Sequence, residues 1–167
     1  MIKNVLNLSL RLLAIALIAG LLLAGVYGMT KQPIADYEAQ KEEAARKAVM
    51  PDASEFELVS ENLDVSVGIV NVYSCEMGSV YTIKERGYSS SGVTVTVGID
   101  NDGKVTGIEV NAANETPGLG AKAGDSAFTD QFAGQSGSVK VDTISGATMT
   151  SNAVIRAVDL ALSDAAK

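Results

Sequence analysis

Nineteen consecutive uncharged residues, Leu12 to Thr30, lie between Arg11 and Lys31, and they constrain this chain more than any other feature. A helix needs about 20 predominantly apolar residues to cross the hydrocarbon core of a bilayer, so this stretch is long enough to span. A cleaved signal peptide is the rival reading. Its apolar region would be about 7–15 residues, and Val26-Tyr27-Gly28 is a weak match to a small-residue cleavage site, so length favours a retained anchor.

Charge sets the expected orientation. Residues 1–35 carry Lys3, Arg11 and Lys31 and no acid, whereas Asp36, Glu38, Glu42 and Glu43 follow the span. Positive charge stays on the cytoplasmic side, which places the N-terminus inside and the rest of the chain outside the cytoplasm of a single-pass membrane protein. Gly20, Gly25 and Gly28, with Ala14, Ala16, Ala19 and Ala24, would let a neighbouring helix approach the span closely, although small residues are common in any span.

The remaining composition excludes several chemistries. The chain has no His and a single Cys, Cys75. Histidine-based nucleophilic catalysis, a His-ligated metal, an iron–sulfur cluster and an internal disulfide are therefore all ruled out. A net charge of −7 with scattered Lys and Arg argues against nucleic acid.

Beyond the span, Pro33 is followed by Ala35 to Met50, rich in Ala, Glu and Lys, which predicts a helical stalk stopped by Pro51-Asp52. Strands are predicted at Phe56–Val59, Val65–Tyr73 and Val80–Glu85 from their β-branched and aromatic content. Val93 to Val97 alternates apolar and polar residues, Asp100 to Gly103 supplies a turn, and Val105, Ile108 and Val110 continue on a return strand. Two helices are expected afterwards, a short one near Ser126 to Ala133 and a terminal one from about Ser151 to Ala165. In the latter Ala153, Val154, Ala157, Val158, Leu160 and Ala161 share a face, and Thr150 or Ser151 would serve as the N-cap. Strands followed by segregated helices define an α+β class. The expected division is an anchor over 1–31, a stalk over 32–52 and one domain over 53–167.

Two segments have residue types too constrained for ordinary loops. In Glu115-Thr116-Pro117-Gly118-Leu119-Gly120, proline fixes one backbone angle and two glycines permit close approach of a ligand to the main chain, although a tight turn after a strand would also account for them. Asp142 to Ser151 gathers hydroxyls and small residues before a helix, where unpaired amides and the helix dipole favour phosphate. On these residues alone a Ser/Thr-rich cap without ligand is the reading that physics favours. No Lys or Arg lies within the segment to neutralise a free phosphate; Lys140 and Arg156 flank it.

Ser145-Gly146-Ala147-Thr148 resembles the flavinylation motif of the FMN-binding domain family, and Glu115 to Gly120 resembles that family's second signature, in the same order. With the anchor, the likeness extends over most of the chain, whose short length is similar to the RnfG family of Rnf-type ion-translocating ferredoxin:NAD oxidoreductase complexes. The resemblance implies FMN joined through its phosphate to Thr148 by a separate flavin transferase that uses FAD, outside the cytoplasm. It further implies that Asp142, Ser145, Gly146 and Ala147 surround the phosphate and present the motif to the transferase, and that Glu115, Thr116, Gly118 and Leu119 line the flavin. Thr150 is the competing hydroxyl. A His that members of the family often carry two residues before the signature Glu is Ala113 here, so no proton-handling role attached to it carries over. The implied activity is electron relay among other redox subunits of the complex, without stand-alone turnover and without a catalytic side chain. A flavinylated carrier for another extracytoplasmic reductase, or a cofactor-free anchored binding module, are the alternatives. The ring's aromatic neighbours stay unassigned among Phe128, Phe132, Tyr73, Tyr81 and Tyr88.

Overall fold

A computed structural model describes residues 2–62 and 68–167. Its elements run in the order α1 (Ile2–Val49), β1 (Glu57–Glu61), β2 (Gly68–Cys75), β3 (Gly78–Glu85), β4 (Val93–Asp100), β5 (Val105–Asn111), α2 (Ser126–Thr129) and α3 (Thr148–Ala165), with 3-10 turns at Gly120–Gly124 and Asp130–Phe132. The chain forms two compact units, Met1–Glu42 and Glu43–Lys167.

Among the described residues one helix is long and apolar enough to cross a membrane, with a mean hydropathy of 2.4 over its most apolar stretch. The helix expected over Ala35–Met50 is present and is continuous with the span, because α1 runs through Pro33 without interruption. Proline inside a helix removes one i→i−4 bond at a cost of about 3 kcal/mol, and here the apolar turns before it and the Ala- and Glu-rich turns after it keep the helix continuous.

The second unit is α+β. Among the described residues five strands form one antiparallel meander in the order β1-β2-β3-β4-β5, in keeping with short connections between consecutive strands. Of the strand predicted at Val65–Tyr73, residues 65–67 lie outside the described residues; the remainder is β2. Pairing of Tyr81 with Val97 and Ile83 with Val95, and of these with Ile108 and Val110, fixes one apolar face. On that face Val93, Val95, Val97 and Ile99 are buried against Ala153, Val154, Ala157, Val158, Ala161 and Leu162 of α3. Alanines at 153, 157 and 161 let the helix lie close to the valines, each of which gains about 1.5–3 kcal/mol from full burial. Leu160, expected on this buried face, is only partly buried, and Leu162 takes the deeper position.

The opposite face holds a smaller core. The last turn of α1 delivers Val49 and Met50 onto it, packed with Ala53 and Val80 and flanked by Phe56, Tyr73 and Cys75. Thr106 Oγ1 donates to the Val49 carbonyl at 2.6 Å, satisfying one of the acceptors that a helix C-terminus leaves open. Arg46 lies over the Tyr73 ring, 4.2 Å from its centroid. Cys75 is part of this core, its Sγ 3.0 Å from Met50 Sδ, as suits a small polarizable side chain.

Candidate functional site

The loop leaving β5 folds on itself through backbone bonds, with Glu115 N donating to Ala112 O at 3.0 Å and Leu119 N to Thr116 O at 3.1 Å. These turns push Glu115 inward and Leu119 outward. Glu115 is 3% exposed, while Leu119 is 45% exposed. The Glu115 carboxylate accepts from Tyr88 N at 3.1 Å, Ser89 N at 3.0 Å and Thr150 Oγ1 at 2.7 Å.

The segment before α3 makes a tight turn in which Ala147 N donates to Ile144 O at 2.9 Å. Gly146 sits at φ +79°, a left-handed conformation that glycine adopts without steric cost, and a Cβ there would also stand 3.2 Å from Leu119 Cδ2. Ser151 ties the turn down, accepting from Ile144 N at 3.0 Å and donating to Ala147 O at 3.0 Å.

The expected cap is corrected by this geometry. Helix α3 starts at Thr148 with Ala147 as its N-cap, and no capping side chain bonds to it. Thr150 and Ser151 lie inside the first turn and are buried, their hydroxyls committed to Glu115 and to the preceding turn. Local sequence offers two good capping residues, and tertiary contacts take both. The amides of the first turn of α3 are among those a helix cannot pair internally, so its positive end remains available to an anion.

Three segments meet around a cavity of about 490 Å³: Tyr88 from the β3–β4 connection, Glu115, Thr116, Leu119 and Gly120 from the loop after β5, and Gly146 to Thr150 at the start of α3. Its rim is apolar. Tyr88 is 71% exposed and Met149 60% exposed, and with Leu119 they place three large apolar side chains in water around one opening. Such convergence marks a binding surface more than scattered exposed residues do. Among the described residues no Lys or Arg lines the cavity. Thr148 is exposed at its edge, whereas Thr150, two residues on, is 1% exposed.

Of the residues singled out from sequence, Glu115, Thr116, Leu119, Gly146, Ala147 and Thr148 line this cavity. Gly118 and Ser145 are exposed turn positions outside its lining, and Asp142 lines a separate polar cleft with Gln131, Lys140 and Val141. Of the five candidate aromatics, Tyr88 alone reaches the cavity. Phe128 and Phe132 pack edge to face in the core, Tyr81 is buried in the same core, and Tyr73 lies under Arg46. Met149 is a lining residue that sequence reasoning does not single out; an apolar residue among the hydroxyls Thr148, Thr150 and Ser151 is the available signal.

The fold and this cavity define a small α+β domain with an open, apolar-rimmed binding cavity, in a chain that begins with a long apolar helix. Residues 87–163 match the FMN-binding domain family, a range that opens beside Tyr88 and includes both signature segments. Residues 1–49 match the RnfG N-terminal region. The G subunit of the Na(+)-translocating ferredoxin:NAD(+) oxidoreductase complex of Acetobacterium woodii is 34% identical, over 96% of this chain and 91% of its own length. The G subunit of the ion-translocating oxidoreductase complex of Methanosarcina acetivorans is 30% identical over 96% and 94%. Its counterpart in the proton-translocating ferredoxin:NAD(+) oxidoreductase complex of Clostridium ljungdahlii is 28% identical over 84% and 80%. The chain belongs to the RnfG family, the G subunits of ion-translocating oxidoreductase complexes.

The residues present fit FMN. The cavity lies within the roughly 300–1,000 Å³ range of small-molecule sites, its rim is apolar as a ring system requires, and a helix N-terminus faces it where a phosphate would sit.

Proposed function

We propose that this chain is the membrane-anchored electron-relay subunit of an Rnf-type ion-translocating ferredoxin:NAD oxidoreductase complex, carrying FMN as a phosphoester on Thr148. The carrying observation is the contrast at the start of α3. Thr148 is exposed and lines the cavity, while the competing Thr150 is buried with its proton donated to Glu115.

The lining supports a covalent mode of retention. With no Lys or Arg among the described residues of the cavity, a free phosphate would be held by helix amides alone, and a bond to Thr148 removes the need for ionic capture. In that attachment the Thr148 oxygen bonds to the phosphorus of the FMN half of FAD, the pyrophosphate bond breaks, AMP leaves, and the hydroxyl proton is lost. A flavin transferase supplies this step, and Asp142, Ser145 and Gly146 are exposed for it to read.

When bound, the flavin supplies the redox chemistry. The chain's own residues would hold it: Leu119, Met149 and Tyr88 would cover apolar surface of the ring and Thr116 would offer a hydroxyl, while Gly118 and Gly146 shape the turns and Ala147 leaves the approach to the first turn of α3 open. In this reading residues 1–31 are the anchor, 32–52 a stalk and 53–167 the flavin domain, and the charge pattern supports a position for that domain outside the cytoplasm, at the cell membrane. Anchoring raises the effective concentration of the flavin toward the other redox subunits.

The test is intact-protein mass with in-gel flavin fluorescence on wild type and Thr148→Ala, each coexpressed with an extracytoplasmic flavin transferase. A mass increase of one FMN less one water in wild type, absent from the variant, is expected. Wild type without covalent flavin beside a labelled control would remove the relay reading. Copurification of other membrane and redox subunits tests the assignment to an Rnf-type complex against service to a different reductase.

A further inference from the structure

Glu115 is the buried acid of this site, and its surroundings are built to receive it. Its carboxylate collects three donors from two other segments: Tyr88 N and Ser89 N of the β3–β4 connection, and Thr150 Oγ1 of α3. Ionised carboxylates only accept, and these three bonds occupy the oxygens on the protein side. Two glycines make the room. A Cβ at Gly87 would stand 2.6 Å from Glu115 Oε1, and one at Gly120 would stand 2.9 Å from both Glu115 Oε2 and Thr150 Oγ1.

The consequence is mechanical. Each wall of the cavity is a loop or a helix end, and the carboxylate links all three. Tyr88 is held at the cavity wall by its own amide, and 71% of the residue is exposed. Thr150 is held by its hydroxyl, one residue beyond Met149 and two beyond Thr148. We propose that Glu115 is a positioning residue of the flavin site, which fixes Thr148 and Tyr88 relative to each other by clamping the β3–β4 connection to the first turn of α3. This role rests on the reading of the cavity as the flavin site and differs from simple lining.

The clamp separates two properties that a lining residue would couple. Removing it leaves the acceptor hydroxyl and the apolar rim intact but in looser register, because the other tie between these elements, Arg156 Nη2 to Arg86 O at 3.1 Å, engages α3 beyond its first turn. A misplacement of about 1 Å at a reacting group costs on the order of 10²-fold in rate. Glutamine is a partial mimic, because its amide group turns one donor toward Tyr88 N or Ser89 N, which are donors themselves, while the Thr150 hydroxyl can rotate to accept.

The test uses the full-length detergent-solubilised chain. Covalent loading by a purified flavin transferase with FAD is followed by mass, the loaded flavin by visible circular dichroism, and the Tyr88 and Ser89 amides by hydrogen exchange. Glu115→Ala is expected to load on the order of 10²-fold more slowly, with flavin dichroism falling toward that of free FMN and both amides losing protection. Glu115→Gln should fall between, Thr150→Val should show a smaller loss in the same direction, and Thr150→Ser should match wild type. Wild-type loading and dichroism in both Glu115→Ala and Thr150→Val would overturn the positioning role while leaving the flavin reading intact. Should Glu115→Ala fail to fold, Thr150→Val against Thr150→Ser decides. Wild type that takes no covalent flavin would overturn the flavin reading, and the positioning role with it.

Discussion

Two helix ends in this domain are built in opposite ways. The C-terminus of α1 is closed: Val49 and Met50 are buried in the smaller core, and a threonine hydroxyl caps the Val49 carbonyl. The N-terminus of α3 is open, with an alanine in the cap position, an exposed threonine and methionine in the first turn, and a cavity in front of it. A helix end that serves only the fold satisfies its orphan groups internally. One that keeps them available, while burying nearby hydroxyls to secure itself, is arranged for a ligand.

Substitutions at the two ends should therefore separate function from stability. The largest expected effect is at the open end, where Thr148→Ala abolishes covalent flavin with little change in unfolding midpoint and Thr150→Ala still acquires the label; mass spectrometry and thermal melts read both. Retention of flavin by Thr148→Ala would break the comparison at its centre. At the closed end, Met50→Ala should cost about 2–5 kcal/mol through lost burial and a residual cavity, read by chemical denaturation, without moving the flavin site.

Smaller effects sharpen the contrast. Gly98→Ala would set a Cβ 2.3 Å from Thr106 Oγ1 and 2.9 Å from Val49 O, so overpacking of about 1–3 kcal/mol is expected. Thr106→Val keeps the shape but leaves the Val49 carbonyl without its donor, for about 1 kcal/mol. Glu76 gives the smallest signal. Its carboxylate accepts from Ser54 N and Ser54 Oγ just beyond the closed end, and these bonds hold its pKa below the ordinary 4.5. Because the folded value is depressed, this contribution is present above the ordinary value and is lost as pH falls through the lowered one. Ser54→Ala should raise the Glu76 titration toward the ordinary value by NMR, with no change in stability at neutral pH beyond that of an exposed contact.

Much of the fold is legible in the sequence because its signals are local. Alternation in Val93–Val97 with the Asp100–Gly103 turn specifies the β4–β5 hairpin, and the spacing of Ala153, Val154, Ala157 and Val158 specifies the buried face of α3. Both depend on a side chain's neighbours along one strand or helix, which periodicity records. Pro33 misleads as a boundary because its penalty is one local bond, outweighed by the turns on either side. The cap of α3 misleads for the opposite reason. Thr150 and Ser151 carry good capping side chains, but their hydroxyls are drawn to Glu115 and to the Ile144–Ala147 turn, and the helix gains a residue at each step back to Thr148.

The sequence by itself determined the long apolar segment, the α+β order of elements, the exclusion of histidine chemistry, iron–sulfur clusters and an internal disulfide, and the two signature segments. Only the tertiary structure decided that Tyr88 joins those segments, that Glu115 faces inward to three donors, and that of two threonines two residues apart one is buried and one is exposed. Periodicity and composition describe one segment at a time. A cavity is made of what separate segments leave between them, and its walls are fixed by hydrogen bonds such as Thr150 to Glu115, 35 residues apart along the chain.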